Sequence, residues 1–146
     1  MLEHVLQNEL HVVLDEGAYE PERAHAEDAG LDLRTPIAVT VPARGFATID
    51  TGVHVGISKF HYGKLESKSG LNVKHHVVSC GGVIDCGYTG SIVAKLYNLS
   101  DEDYTFNAGD KIVQLIIKPC DLPVVKIVDE LPDSDRGVNG FGSSGK

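Results

Sequence analysis

The residue best suited to do chemistry is Asp85, set in the stretch Gly82-Val83-Ile84-Asp85-Cys86-Gly87-Tyr88-Thr89-Gly90. A carboxylate directly after a β-branched pair, beside a Tyr that can serve as a flat wall, suits the activation of a water molecule by general-base catalysis. Cys86-Gly87 reads as a tight turn, because Gly accepts positive φ without steric cost. Residues 83–84 and 91–97 are then expected to fold back as a hairpin with Asp85 at its lip. An Asp before a Gly turn also commonly caps that turn with its own side chain, and residue type alone leaves both readings open.

Other stretches offer groups for a phosphorylated substrate. Lys68-Ser69-Gly70 sets an ammonium beside a hydroxyl and unencumbered backbone N–H groups, a cradle for phosphate oxygens. Ser-Gly is equally a helix N-cap, with residues 71–75 as a short helical turn behind it, and both roles are compatible. Asp32 interrupts apolar neighbours in Ala29-Gly30-Leu31-Asp32-Leu33-Arg34, where an acid either binds backbone N–H groups or faces a metal's water shell. Gln114 breaks the apolar run 112–117 and, on the simplest reading, is the solvent-facing member of a strand. The Gly-rich tail reads as a disordered terminus, but it sets Arg136 at its hinge and Phe141 between glycines. That pattern suits a mobile arm, with Arg136 and backbone N–H groups on phosphates and Phe141 stacked on a planar ring. The tail's Gly140-x-Gly142-x-x-Gly145 lacks the helix and the later acid that a dinucleotide site needs.

Positioning these groups falls to short β-rich runs at 10–14, 37–41, 46–50, 53–57, 62–66, 77–79, 104–106, 111–117 and, last, 124–128. Turn residues such as Pro42-Ala43-Arg44-Gly45, Thr51-Gly52 and Asn107-Ala108-Gly109-Asp110 separate them. Such spacing, with intervals of about ten residues, predicts an antiparallel sandwich or barrel. Alternation in 91–97 is imperfect, which implies a strand covered on both faces. A length of 146 residues suits one domain. The 21 Asp and Glu outweigh 13 Lys and Arg to give a net charge of −8, which opposes binding to nucleic-acid polymers without excluding a single nucleotide. Three cysteines without paired spacing read as reduced thiols rather than a disulfide framework or zinc site. The first nine residues lack the charged-then-apolar pattern of a leader, and no apolar run approaches twenty residues, so the expectation is a cytoplasmic protein with no membrane partner.

Taken together, residues 29–34, 67–71, 82–90, 108–116 and 136–145 resemble, in order, the five motifs of the trimeric all-β dUTPases, a resemblance that spans residues 10–145. It implies an all-β, jelly-roll-like β-barrel of the β-clip type, with one short helical turn and a flexible Gly-rich C-terminal arm. The barrel would occupy residues 1–131, and the arm, 132–146, would complete the active site of a neighbouring subunit in a homotrimer. The implied reaction is hydrolysis of dUTP to dUMP and pyrophosphate, with Mg²⁺ on the triphosphate. On that resemblance Asp85 deprotonates the water that attacks the α-phosphorus, backbone groups of Gly82, Val83 and Ile84 read the uracil edge, and Tyr88 packs under the deoxyribose. Lys68, Ser69, Gly70 and Gln114 hold phosphates, Arg136 clamps the γ-phosphate, Phe141 stacks on uracil, and Gly142, Ser143 and Ser144 add donors. Asp32 would sit near the metal's waters. The chain departs from the family pattern at Lys68, where Arg is usual, at Ser79, where many members have an Asn near uracil, and at Ser91, which replaces an acid. The runner-up readings are a relative of dCTP deaminase and a nucleotide-gated regulatory binding protein.

Overall fold

The computed structural model describes residues 9–145. Residues 1–8, on which most of the leader reading rests, and Lys146 lie outside the described residues. The fold is all-β with one short helix, as the run of short β-rich segments predicts. The strands are β1 (His11–Leu14), β2 (Leu31–Arg34), β3 (Val39–Val41), β4 (Phe46–Asp50), β5 (Val53–Gly56), β6 (His61–Ser67), β7 (Val77–Ser79), β8 (Val83–Ile84), β9 (Val93–Asn98), β10 (Tyr104–Phe106) and β11 (Lys111–Pro119). Helix α1 (Ser69–His75) follows β6.

Two larger sheets, ordered β2-β11-β6-β8 and β4-β9-β7, are joined by the pairs β1-β5 and β10-β3. Every pairing is antiparallel. Alternate residues of these strands supply the core, in which Leu33, Ile49, Ile92, Leu96, Phe106, Ile112 and Leu115 are buried. Each such side chain contributes about 1.5–3 kcal/mol of transfer free energy, which makes the inward register hard to slip. The inward amide of Asn98 is satisfied by donating to the carbonyls of Val41 at 3.0 Å and Glu102 at 2.7 Å.

Three expectations are corrected. Strands β8 and β9 are not a hairpin: Ile84 pairs with Gly63 of β6, whereas β9 pairs with β4 and β7. The intervening loop therefore crosses from one sheet to the other. The positive φ lies before β8, at Gly81 and Gly82 (80° and 109°), and not at Gly87. Strand β9 alternates cleanly, with Ala94, Leu96 and Asn98 buried and Val93 and Lys95 exposed. On its exposed outer face Lys95 Nζ lies 4.3 Å from the ring centroid of Phe46 in the neighbouring β4, a cation–π contact. Residues 124–128 form no strand. Val124, Val125 and Ile127 are 94%, 83% and 89% exposed, because this apolar segment finds no pairing edge among the described residues.

Candidate active site

The first cluster of polar groups lies where β2, β11 and β6 run side by side. Gln114 is in register with Asp32 on one side and with Glu66 on the other. Asp32 is 3% exposed, so its carboxylate needs partners. Lys68 Nζ donates to one of its oxygens, and Lys111 Nζ lies 3.1 Å from the other. Burial pushes the Asp32 carboxyl up, but the hydrogen bonds and charges of Lys68 and Lys111 together outweigh it and hold the group below its ordinary value. The cluster carries one net positive charge, from two ammonium groups and one carboxylate. Gln114 is half-buried and donates from Nε2 to the Ser67 carbonyl at 3.0 Å, so it braces the end of β6 rather than facing solvent. Gly30 makes this possible: a Cβ there would lie 2.1 Å from Gln114 Oε1.

Beyond Ser67 the chain turns into α1, and here the N-cap expectation shifts by one residue. Lys68 occupies the cap position with extended backbone and no side-chain cap, and Ser69 is the first helical residue. The backbone N–H groups of the first turn have no partner inside the helix, and Ser69 and Gly70 are exposed. The Ser67 hydroxyl donates to the Ser79 carbonyl at 3.1 Å and accepts the Ser79 N–H at 2.9 Å. That bond anchors the strand that leads to Gly82, Val83 and Ile84.

The second cluster is the loop after β8. Its turn is closed by the main chain, Tyr88 N–H donating to the Asp85 carbonyl at 3.0 Å. Among the described residues the exposed Asp85 carboxylate caps nothing, so the turn-cap alternative falls and the group is available to a ligand. Tyr88 donates its hydroxyl to the Ser91 carbonyl at 2.8 Å. Its ring lies against the backbone of Gly90, where a Cβ would come within 2.6 Å of the ring carbon that bears the hydroxyl. The Tyr88 ring is therefore held against residues 90–91 of its own loop.

One chain does not bring these clusters together. Asp85 follows Ile84, which pairs with Gly63, whereas Lys68 follows Ser67 at the opposite end of β6. The span from the level of Tyr62 to Lys68 is about 20 Å at the rise of a β-strand. The arm joins neither cluster: Arg136 Nε donates to the Asn139 carbonyl at 2.7 Å, Phe141 is fully exposed, and Gly142, Ser143 and Ser144 lie in exposed turns. Residue types picked out candidate groups but not Lys111, whose partner Asp32 becomes its neighbour only through strand pairing.

A resident metal does not fit the first cluster. Both Asp32 oxygens are engaged by ammonium groups whose charge repels a cation, and the described residues hold no group of three or more His, Cys, Asp or Glu able to bind one. Direct coordination of a cation by Asp32 is thus disfavoured in this arrangement. Among the described residues no helix is long and apolar enough to cross a membrane.

Sheet order and the division of polar groups define a jelly-roll-like β-barrel of the β-clip class, with a lysine-flanked acid at one end of β6 and a free carboxylate at the other. The dUTPase family model matches residues 17–145, and the chain belongs to the dUTPase family. A probable deoxyuridine 5'-triphosphate nucleotidohydrolase of Schizosaccharomyces pombe is 39% identical over 132 residues, covering 90% of this chain and 94% of that protein. The deoxyuridine 5'-triphosphate nucleotidohydrolase of Paramecium bursaria Chlorella virus 1 is equally similar, with the same coverage. The dUTPase of Staphylococcus bacteriophage 80alpha, solved with dUPNHPP, superposes with a TM-score of 0.86 at 34% identity, covering 95% of this chain and 99% of that one. A mutant dUTPase from phage phi11 of S. aureus, described as coordinating a structural Mg(II) ion, superposes with a TM-score of 0.77 at 35% identity, covering 84% and 98%.

Proposed function

We propose that this protein is a dUTP diphosphatase that hydrolyses dUTP, taken up as its Mg²⁺ complex, to dUMP and pyrophosphate. The observation that carries the reading is the Asp85 carboxylate, exposed and free of any turn-capping bond while Tyr88 beside it is pinned. Asp85 accepts a proton from a water whose oxygen attacks the α-phosphorus. The bond from that phosphorus to the oxygen bridging to the β-phosphorus breaks, and pyrophosphate leaves. Such a displacement needs positioning and charge neutralisation more than covalent chemistry. Lys68 and Lys111, held by Asp32, receive phosphate oxygens together with the first-turn N–H groups at Ser69 and Gly70, while Gln114 holds the cradle in register. Backbone groups at Gly82, Val83 and Ile84, with Ser79 adjacent, read the uracil edge, and Tyr88 packs against the deoxyribose.

The separation of about 20 Å along β6 supports a site assembled between subunits, because a water-activating group and the phosphate cradle must meet on one triphosphate. The exposed segment around Val124, Val125 and Ile127 supports the same conclusion, since an apolar segment of strand-like composition can find a pairing edge on another copy. The proposed assembly is a homotrimer in which residues 1–131 form the barrel. Residues 132–146 form an arm that carries Arg136 to the γ-phosphate and Phe141 onto uracil, with Gly142, Ser143 and Ser144 as donors. Free Cys80, Cys86 and Cys120 suit a reducing cytoplasm.

The test is pyrophosphate release from a panel of dUTP, dCTP, dTTP and UTP with Mg²⁺, together with deamination of dCTP. Selective turnover of dUTP is expected, and its absence refutes the reading. Mixing and reassembling inactive Asp85→Asn subunits with inactive subunits cut after residue 131 is expected to restore activity. No recovery despite exchange would refute the shared site.

A further inference from the structure

We propose that His54 is a positioning residue for the catalytic loop, an imidazolium tether that joins Thr89 to Asp15 and so fixes Asp85 and Tyr88 against the barrel. The inference rests on the reading of Asp85 as the base. Residues 85–91 leave the barrel at the buried Ile84 and rejoin it at Ile92, whose N–H donates to the Val53 carbonyl at 2.8 Å. Between these anchors two side-chain hydrogen bonds among the described residues tether the loop to the barrel. The Ser91 hydroxyl donates to Asp50, and His54, in β5, reaches the Thr89 carbonyl with Nδ1 at 2.8 Å.

The other ring nitrogen of His54, Nε2, lies 3.0 Å from Asp15 Oδ1. Asp15 is itself anchored, its N–H donating to the Gly52 carbonyl at 2.9 Å. A carbonyl and a carboxylate are both acceptors, and a neutral imidazole has one N–H, so only the cation satisfies both contacts. The bond to Thr89 and then the Asp15 carboxylate hold the His54 pKa above its ordinary value, with Asp50 adding to the effect. The charged and titratable groups around the ring are Asp15 after β1, Asp50 at the end of β4, and His11 of β1. His11 lines the same cavity and lies 3.5 Å from Glu9. As pH rises through the raised pKa one contact is lost, and the loop that carries Asp85 slackens.

The tether is tested in the full-length protein by NMR titration of the His54 ring, assigned among the seven histidines with His54→Gln, alongside pH profiles of dUTP turnover. The expected His54 pKa lies above 6.5 and falls in Asp15→Asn, and the alkaline inflection in kcat moves down with it. His54→Phe is expected to lower kcat roughly tenfold, more than it raises KM, and to abolish that inflection. His54→Gln, which like the neutral imidazole satisfies only one of the two acceptors, should hold kcat at every pH near the wild-type value above the inflection. If His54→Phe fails to fold, Asp15→Asn alone decides. A His54 pKa at or below 6.5, or a wild-type inflection in Asp15→Asn, overturns the proposal. Full turnover in Asp85→Asn would instead overturn the assignment of the base, leaving the NMR result to report on the tether alone.

Discussion

Gly30→Ala would insert a single methyl group where β2 begins, directly against Gln114. The new Cβ would lie 2.1 Å from Oε1, 2.9 Å from Cδ and 2.9 Å from Cβ of Gln114. The first two contacts can be relieved by swinging the amide away, but that breaks its bond to the Ser67 carbonyl, at a cost of about 1 kcal/mol. The third contact involves an atom fixed to the β11 backbone, so part of the strain stays, at about 1–3 kcal/mol for overpacking. The sum of about 2–4 kcal/mol corresponds to a fall in Tm of roughly 5–15 °C for a chain of this size. Thermal unfolding by circular dichroism at fixed protein concentration measures it, with Gly140→Ala, which has nothing within 4 Å, as the control. Because Gln114 braces the residue before Lys68, kcat/KM for dUTP should also fall. Adding Gln114→Ala removes two of the three contacts and should recover part of the stability lost to Gly30→Ala. A Gly30→Ala protein that melts within 2 °C of the parent, by this scale less than about 1 kcal/mol, would refute the packing of Gln114 over Gly30.

Further perturbations test the remaining parts. Asp32→Asn leaves Lys68 and Lys111 facing each other without their counter-charge. Because both ammonium groups keep some solvent contact, with 27% and 37% side-chain exposure, the cost should lie near the lower end of about 3–5 kcal/mol, read by urea unfolding at neutral pH. The Asp32 pKa is depressed in the folded state, so its stabilisation is complete above the ordinary carboxylate value of about 3.9 and disappears as pH falls through the lower folded value. Asp32→Asn should remove that part of the acid limb, and an unchanged limb would count against the ion pair. Asp85→Asn is expected to abolish pyrophosphate release while calorimetry still detects dUTP binding; near-native kcat would show that another group is the base. Ile127→Asp places a charge on the exposed 124–128 segment, 89% exposed at that position in the single chain. Sedimentation should then show a shift from trimer toward monomer, whereas an unchanged trimer would remove this segment from the interface.

Turn residues and β-rich runs made most strands legible, because strand formation by 46–50, 104–106 or 111–117 follows from local composition between turn signals. The sheet change between β8 and β9 was not legible. Two β-rich runs separated by a Gly-containing turn look alike whether they pair with each other or with remote strands, and the choice is made by the edges that β6 and β4 offer. Segment 124–128 shows the converse: its composition is that of a strand, but a strand also needs a partner edge, which the described residues do not supply.

The candidate site divides along the same line. By itself the sequence determined the chemical inventory, namely a carboxylate beside a Tyr at 85–88, the Lys-Ser-Gly cradle, and the Arg- and Phe-bearing arm, because residue type and near spacing set what a group can donate, accept or stack upon. Only the tertiary structure decided that Asp32 is saturated by Lys68 and Lys111, that Gln114 braces Ser67, and that His54 reaches Thr89. Those contacts join residues far apart in the chain, and their strength depends on burial and register, which exist only after the sheets have formed.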